Sequence, residues 1–258
     1  QNVFIILVSY FFYACWDWRF LLLIIASSTI DFVVGQKLGK VRESGKRKLL
    51  LVTSLLANLG FLAFFKYFNF FIESATVFLS AMGLETSTSS LSIILPVGIS
   101  FYTFQTLSYT IDVYRGKLQP SLSWVQFFAF VGFFPQLVAG PIERASNLLP
   151  QFAQKRVFNA QFATTGMRLI LWGLFKKMVI ADRLGAIVEA LYADPASCNS
   201  WMAALAGITF AFQVYCDFSG YSDIAIGSAR LLGFKLMRNF QTPFLTSSQT
   251  EFWKRWHI

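Results

Sequence analysis

Charge is scarce in this 258-residue sequence: 14% of residues are Asp, Glu, Lys or Arg, against 55% hydrophobic and 18% aromatic. A water-soluble domain carries about a quarter charged residues, so the shortage points to lipid and leaves room for several membrane spans. Histidine occurs once, as His257, which excludes HExxH and any other two-histidine metal site within these residues. Neither a Walker loop nor a GxSxG elbow is present, so ordinary kinase, hydrolase and zinc chemistries have no foothold. The three cysteines, Cys15, Cys198 and Cys216, form no CxxC pair, which predicts neither a disulfide framework nor structural zinc. Acidic residues are the scarcer sign, 13 against 22 Lys and Arg. The basic residues sit between apolar runs and form no stripe, so nucleic acid is not the expected partner; they read as a topology signal with a secondary role at anionic headgroups.

What is present is a series of apolar runs near the length, about 20 residues, that crosses a bilayer. Residues 3–13 predict a partial first span, and the "CWDWRF" turn joins it to a second over 20–34. The opening "NVFIILVSYFFYACW" has no initiator Met, basic n-region or cleavage site, so the expectation is a span whose beginning lies upstream. The loop "GQKLGKVRESGKRK" concentrates six cations, which places it in the cytoplasm. A third span is expected over 49–65, with "YFNFF" beyond Lys66 as an interfacial belt or a helix lying in the headgroup plane. "GLETSTSS" has no basic residue and is placed outside, and 93–113 returns inward. "WVQFFAFVGFFPQLVAGPI" carries Gly132, Pro135, Gly140 and Pro141 between two positive flanks, which predicts a broken or re-entrant element. Residues 167–191 read as a helix bent at Lys176 and Lys177, and 201–216 as a last span. The fold class expected is all-α: a polytopic transmembrane helical protein forming one domain over 1–258.

Polar residues interrupt these runs in few places. In "FQVYCDFSGYSDIAIG", Asp217, Tyr221 and Asp223 mark either a cavity wall or a surface loop capping the next helix, because a carboxylate at mid-membrane costs about 2.5–3.5 kcal/mol. "LPVGISFYTFQTLSYTIDVYRG" offers hydroxyls from Ser100 to Thr110 that could line a tunnel or bind helices together. "FFPQLVAGPIER" contributes Gln136 and Pro141 to the broken element. "TSSQTEFWKRWHI" begins an amphipathic helix with Thr246, Ser247 or Ser248 as N-cap and tryptophans at the interface. Its spacing puts His257 on the face of Trp253, where a lone ring is more often packed than catalytic.

Taken in order, "LPVGISFYTFQTLSYTIDVYRG", "FFPQLVAGPIER", "QVYCDFSGYSDIAIGSARLLGF", "NFQTPF" and "FWKRWHI" resemble the membrane-bound O-acyltransferase family, in its bacterial branch of alginate O-acetylation proteins and, more distantly, teichoic acid D-alanyl transfer proteins. The resemblance implies a ring of helices around a thinned centre. There an acyl group passes from a cytoplasmic thioester donor to a hydroxyl on the other side, with a histidine as general base. His257 corresponds to the first of two family histidines; the second, the one usually taken as catalytic, belongs to a later "WHG" motif. The chain is therefore expected to be a fragment, inactive alone, of a multi-pass protein of the bacterial inner membrane. The donor expected is acetyl-CoA or another acyl thioester, with no bound cofactor. The other partners expected are membrane lipid and a polysaccharide such as alginate, reached through a periplasmic acetyl-handling protein. His257 is the catalytic candidate, with Asp217, Tyr221, Asp223, Gln136 and Pro141 lining the cavity and Arg255, beside Lys254, attracting the donor. A secondary transporter or channel, or a non-catalytic scaffold of an export machine, is the alternative.

Overall fold

The computed structural model describes residues 1–84, 93–137, 140–193 and 198–258. They form helices throughout, with no β-strand among the described residues: α1 (Asn2–Lys40), α2 (Ser44–Leu62), α3 (Phe68–Ala81), α4 (Ile99–Tyr114), α5 (Trp124–Val131), α6 (Phe134–Leu137), α7 (Ala145–Ala153), α8 (Ala160–Leu174), α9 (Asp182–Tyr192), α10 (Ser200–Leu231) and α11 (Gln249–Arg255). Asn2–Lys40, Ser44–Ala81 and Ser200–Leu231 are long and apolar enough to cross a membrane. The residues group into two compact units, Gln1–Val138 with Arg144–Ala153, and Ala139–Glu143 with Gln154–Ile258.

In the first unit the expected "CWDWRF" turn shrinks to one non-helical residue, Asp17 (φ −159°, ψ 112°). Its carboxylate accepts from the Arg19 backbone N–H at 2.9 Å, so it starts the next helical stretch as a cap does. The basic loop is also shorter than expected: helix runs through Lys40 and resumes at Ser44. Arg47 explains how so tight a connection holds. Its guanidinium donates to the Leu38 carbonyl at 2.6 Å and the Tyr114 carbonyl at 2.7 Å, satisfying orphan acceptors at two helix C-termini. Beyond Leu62 the helix continues through a π-turn, Ala63–Tyr67, into α3.

The hydroxyl-rich segment becomes α4, which begins only at Ile99, where Gly98 takes φ 73° beneath the Leu137 carbonyl. Tyr102, Thr103, Thr106, Tyr109 and Thr110 are buried, so this face joins helices. The broken element is broken as expected: α5 stops at Gly132, α6 is a single turn, and 140–144 is not helical. Val138 and Ala139 in it, 85–90 of "GLETSTSS" and residues 194–197 lie outside the described residues.

In the second unit α8, a π-turn (Phe175–Ala181) and α9 form one uninterrupted helical run, with Lys176 and Lys177 in the π-turn. α10 is continuous across "DFSGYSD", which rules out a surface loop there. Glycines at seven-residue spacing set how closely α8 and α10 approach. A β-carbon on Gly173 would lie 2.5 Å from the Gly220 carbonyl oxygen, and one on Gly227 would lie 2.5 Å from that of Gly166. Side chains larger than hydrogen have no room there.

Candidate functional site: a cation-lined cavity beside His257

The close glycine contacts bring the π-turn lysines onto α10. Lys176 Nζ lies 2.7 Å from Asp223 Oδ2 and donates to Ser219 Oγ at 3.0 Å. Lys177 Nζ lies 2.7 Å from both Asp217 and Asp182 and sits 5.3 Å from the Tyr221 ring centre. Each α10 carboxylate therefore has a cation, which removes most of the cost of placing it in an apolar helix.

Above this pair opens a cavity of about 770 Å³, a size that suits a cofactor-sized ligand. Lys176, Arg230, Lys235 and Arg238 line it, with Asp223 as the one carboxylate, and Ser219, Ser222, Asn239 and Gln241 supply neutral polar groups. Four cations against one paired carboxylate make it attractive to a polyanion.

The chain's last residues are tied to this wall. Gln241 N donates to the Arg255 carbonyl at 2.9 Å and Ile258 N to the Asn239 carbonyl at 3.0 Å, around a Phe240–Trp256 bridge. α11, capped by Ser248, ends at Arg255, so His257 is not on the helical face of Trp253 as its spacing suggested. It sits beyond the helix at φ 50°, a left-handed conformation uncommon outside glycine and found where the surroundings impose it. The ring packs edge-on to Phe218 with centres 4.9 Å apart, and its Nδ1 lies 2.6 Å from Asn239 Oδ1. An amide oxygen only accepts, so Nδ1 carries the hydrogen and the neutral ring's lone pair is on Nε2. Partial burial pushes the His257 pKa below the ordinary imidazole value, which favours that neutral form.

The remaining expected residues separate. Asp223 lines the cavity, whereas Asp217 and Tyr221 are engaged by Lys177 and do not. Arg255 does not line the cavity: it is ion-paired with Glu251 and donates to the Leu245 carbonyl at 3.3 Å. Lys254 is exposed and Pro141 is buried in the non-helical 140–144. Gln136 belongs to the first unit, buried in α6, where it donates to the Phe130 carbonyl at 3.3 Å. Sequence reasoning missed Asn239 and the lysine–aspartate pairing. A signal for the pairing was present: Gly166 and Gly173 repeat the seven-residue spacing of Gly220 and Gly227, which would have set Lys176 and Lys177 against the α10 carboxylates.

Described residues that are helical without a strand, three of their helices long and apolar enough to cross a membrane, define a helical membrane protein. The sequence pattern of the membrane-bound O-acyltransferase family matches residues 118–258, and the chain belongs to that family. It is 39% identical to the "Probable alginate O-acetylase AlgI" of Pseudomonas syringae pv. tomato, an alignment covering 100% of this chain and 49% of that protein. It is 33% identical to the peptidoglycan O-acetyltransferase of Helicobacter pylori, covering 100% of this chain and 53% of that one. Identity to the teichoic acid D-alanyltransferase of Bacillus subtilis is 27%, covering 63% of this chain and 42% of that one. The chain thus spans about half the length of the curated relatives it matches.

Proposed function

We propose that the full-length protein is a multi-pass O-acetyltransferase of the bacterial inner membrane, acting on hydroxyls of an exported polysaccharide such as alginate. Both units count as parts of one membrane domain in this reading. The observation that carries it is Asn239, which lines the cationic cavity and holds His257, the one histidine of these 258 residues, by its Nδ1. An acyl thioester such as acetyl-CoA brings phosphates suited to Lys176, Arg230, Lys235 and Arg238, entering from the cytoplasmic side. His257 Nε2 takes the proton of the acceptor hydroxyl as its oxygen attacks the thioester carbonyl. The tetrahedral intermediate then expels the thiolate, which receives the proton, leaving an ester and a free thiol. Acceptance by a periplasmic acetyl-handling protein completes delivery to the polymer. Names of the relatives support the acetyl group and the polysaccharide acceptor.

In the full-length protein, His257→Ala should cut the O-acetyl content of the polymer while leaving membrane insertion unchanged. The test is the acetyl content of purified polymer alongside the amount of protein in membranes. Polymer acetylated to the normal level would remove His257 from the site.

A further inference from the structure

Asn239 is buried, 1% exposed, and both ends of its side-chain amide and its backbone carbonyl are engaged. Its side-chain N–H donates to Ser222 Oγ on α10 at 2.9 Å, its side-chain oxygen faces His257 Nδ1 at 2.6 Å, and its carbonyl accepts from Ile258 N. With the amide nitrogen on Ser222, the oxygen end is the one that faces the ring. No charged side chain among the described residues pairs with the imidazole, and Nε2 has no hydrogen-bond partner there. Left to its backbone, a residue at φ 50° next to the edge of one phenylalanine would keep a choice of ring orientations and of tautomers. The Ser222–Asn239 pair removes both choices from a helix, α10, whose position is itself set by backbone contact with α8.

We infer that Asn239 is a positioning residue: held by Ser222, it accepts from His257 Nδ1 and thereby presents the Nε2 lone pair for proton transfer. The inference rests on the proposed transferase reading for its consequence in catalysis, but the pin itself can be tested without turnover. A hydrogen bond of this polarity needs only an acceptor at position 239. Asn239→Asp keeps the acceptor and adds a negative charge, Asn239→Leu keeps the volume and removes the bond, and Ser222→Ala loosens the holder.

The first measurement is the pH dependence of ethoxycarbonylation of His257 by diethyl pyrocarbonate in the full-length protein, read by mass spectrometry of the peptide containing it. This reagent reacts with the neutral ring. In Asn239→Asp the midpoint should move up by about one to three pH units, as expected for an imidazole beside a carboxylate. In Asn239→Leu it should not move up. The second measurement is polymer acetylation, expected to fall about 10- to 100-fold in Asn239→Leu, as removal of an orienting partner does at other sites. It should recover in Asn239→Asp on the alkaline side of the shifted midpoint, and Ser222→Ala should lose less than Asn239→Leu. An unchanged His257 midpoint in Asn239→Asp overturns the pin whatever happens to acetylation. So does an Asn239→Asp protein that is inserted and folded yet as inactive as Asn239→Leu, because then the amide donates to the ring. A shifted midpoint together with full activity of His257→Ala upholds the pin and overturns the transferase role of His257 instead.

Discussion

Both units hold carboxylates within apolar helices, and they neutralise them by opposite means. Asp31 in α1 is completely inaccessible and has no ion pair among the described residues. Ser54 Oγ donates to it, as do Asn58 Nδ2 at 2.8 Å and Thr110 Oγ1 at 3.0 Å, so a ring of neutral donors from α2 and α4 closes on it. Ser27 completes the cage by donating to Asn58 Oδ1 at 2.6 Å. In the second unit Asp223 is paired with a lysine and opens onto a cavity. A carboxylate saturated by fixed dipoles has nothing left to offer a ligand and acts as a bolt between three helices. A carboxylate paired with a cation at a cavity wall leaves a charge that an incoming anion can share.

That difference can be broken from either side. The largest effect is expected from Asp31→Ala, which orphans three buried donors and should cost about 3–5 kcal/mol, each donor costing roughly 1–3. Thermal unfolding in detergent would show it, and Asp31→Asn, which keeps one acceptor oxygen, should recover part of the loss. Next comes Gly173→Ala, at about 1–3 kcal/mol from overpacking, because its methyl meets the Gly220 carbonyl and no flexible side chain can yield. A wild-type melting temperature in that variant would mean the two helices can part without cost. Lys176→Met should destabilise less than Asp31→Ala, since the cavity lets water reach Asp223, yet it should lower acetylation more. Acetylation retained in Lys176→Met would reduce this pair to a second bolt and erase the contrast between the units.

A smaller effect concerns pH. His257 has a folded pKa below the ordinary value of 6.5, so above about pH 6.5 the ring is neutral in folded and unfolded chains alike and contributes no pH dependence. As pH falls through that value the unfolded chain takes up the proton first, and stability declines. The acid limb of acetylation should accordingly lie below pH 6.5, and a limb above it would contradict the burial of the ring. Smallest is Glu251→Gln. Its carboxylate is held below the usual range by the Ser247 backbone N–H and Arg255, but it is solvent-exposed, and the melting temperature should not change measurably.

Much of this was legible beforehand because it depends on composition and period. The scarcity of charge, the apolar run lengths and the prolines and glycines of "VGFFPQLVAGPI" imply apolar helices with one broken element, and the described residues 124–137 and 140–144 are broken in that way. A helix start capped by Thr246, Ser247 or Ser248 was readable for the same local reason, and Ser248 is the cap. Readings left open or loosely bounded were decided by contacts that the pattern does not carry. "DFSGYSD" has the composition of a turn but stays helical because Lys176 and Lys177, some forty residues earlier, compensate its carboxylates. "CWDWRF" looked like a loop but needs one residue, since Asp17 caps the helix that it starts.

By itself the sequence determined that this chain is helical and membrane-bound, and the order of its motifs placed it among O-acyltransferases, because hydropathy and short motifs are local properties. Which polar residues meet was decided only by tertiary structure. Asp31 and Asp223 are chemically the same group in equally apolar helices. One became a sealed bolt and the other a cavity wall according to which neighbours, hydroxyls or a lysine, the packing brought within reach. His257 likewise reads as one more ring in an aromatic stretch until Asn239, eighteen residues away, fixes which of its nitrogens faces out.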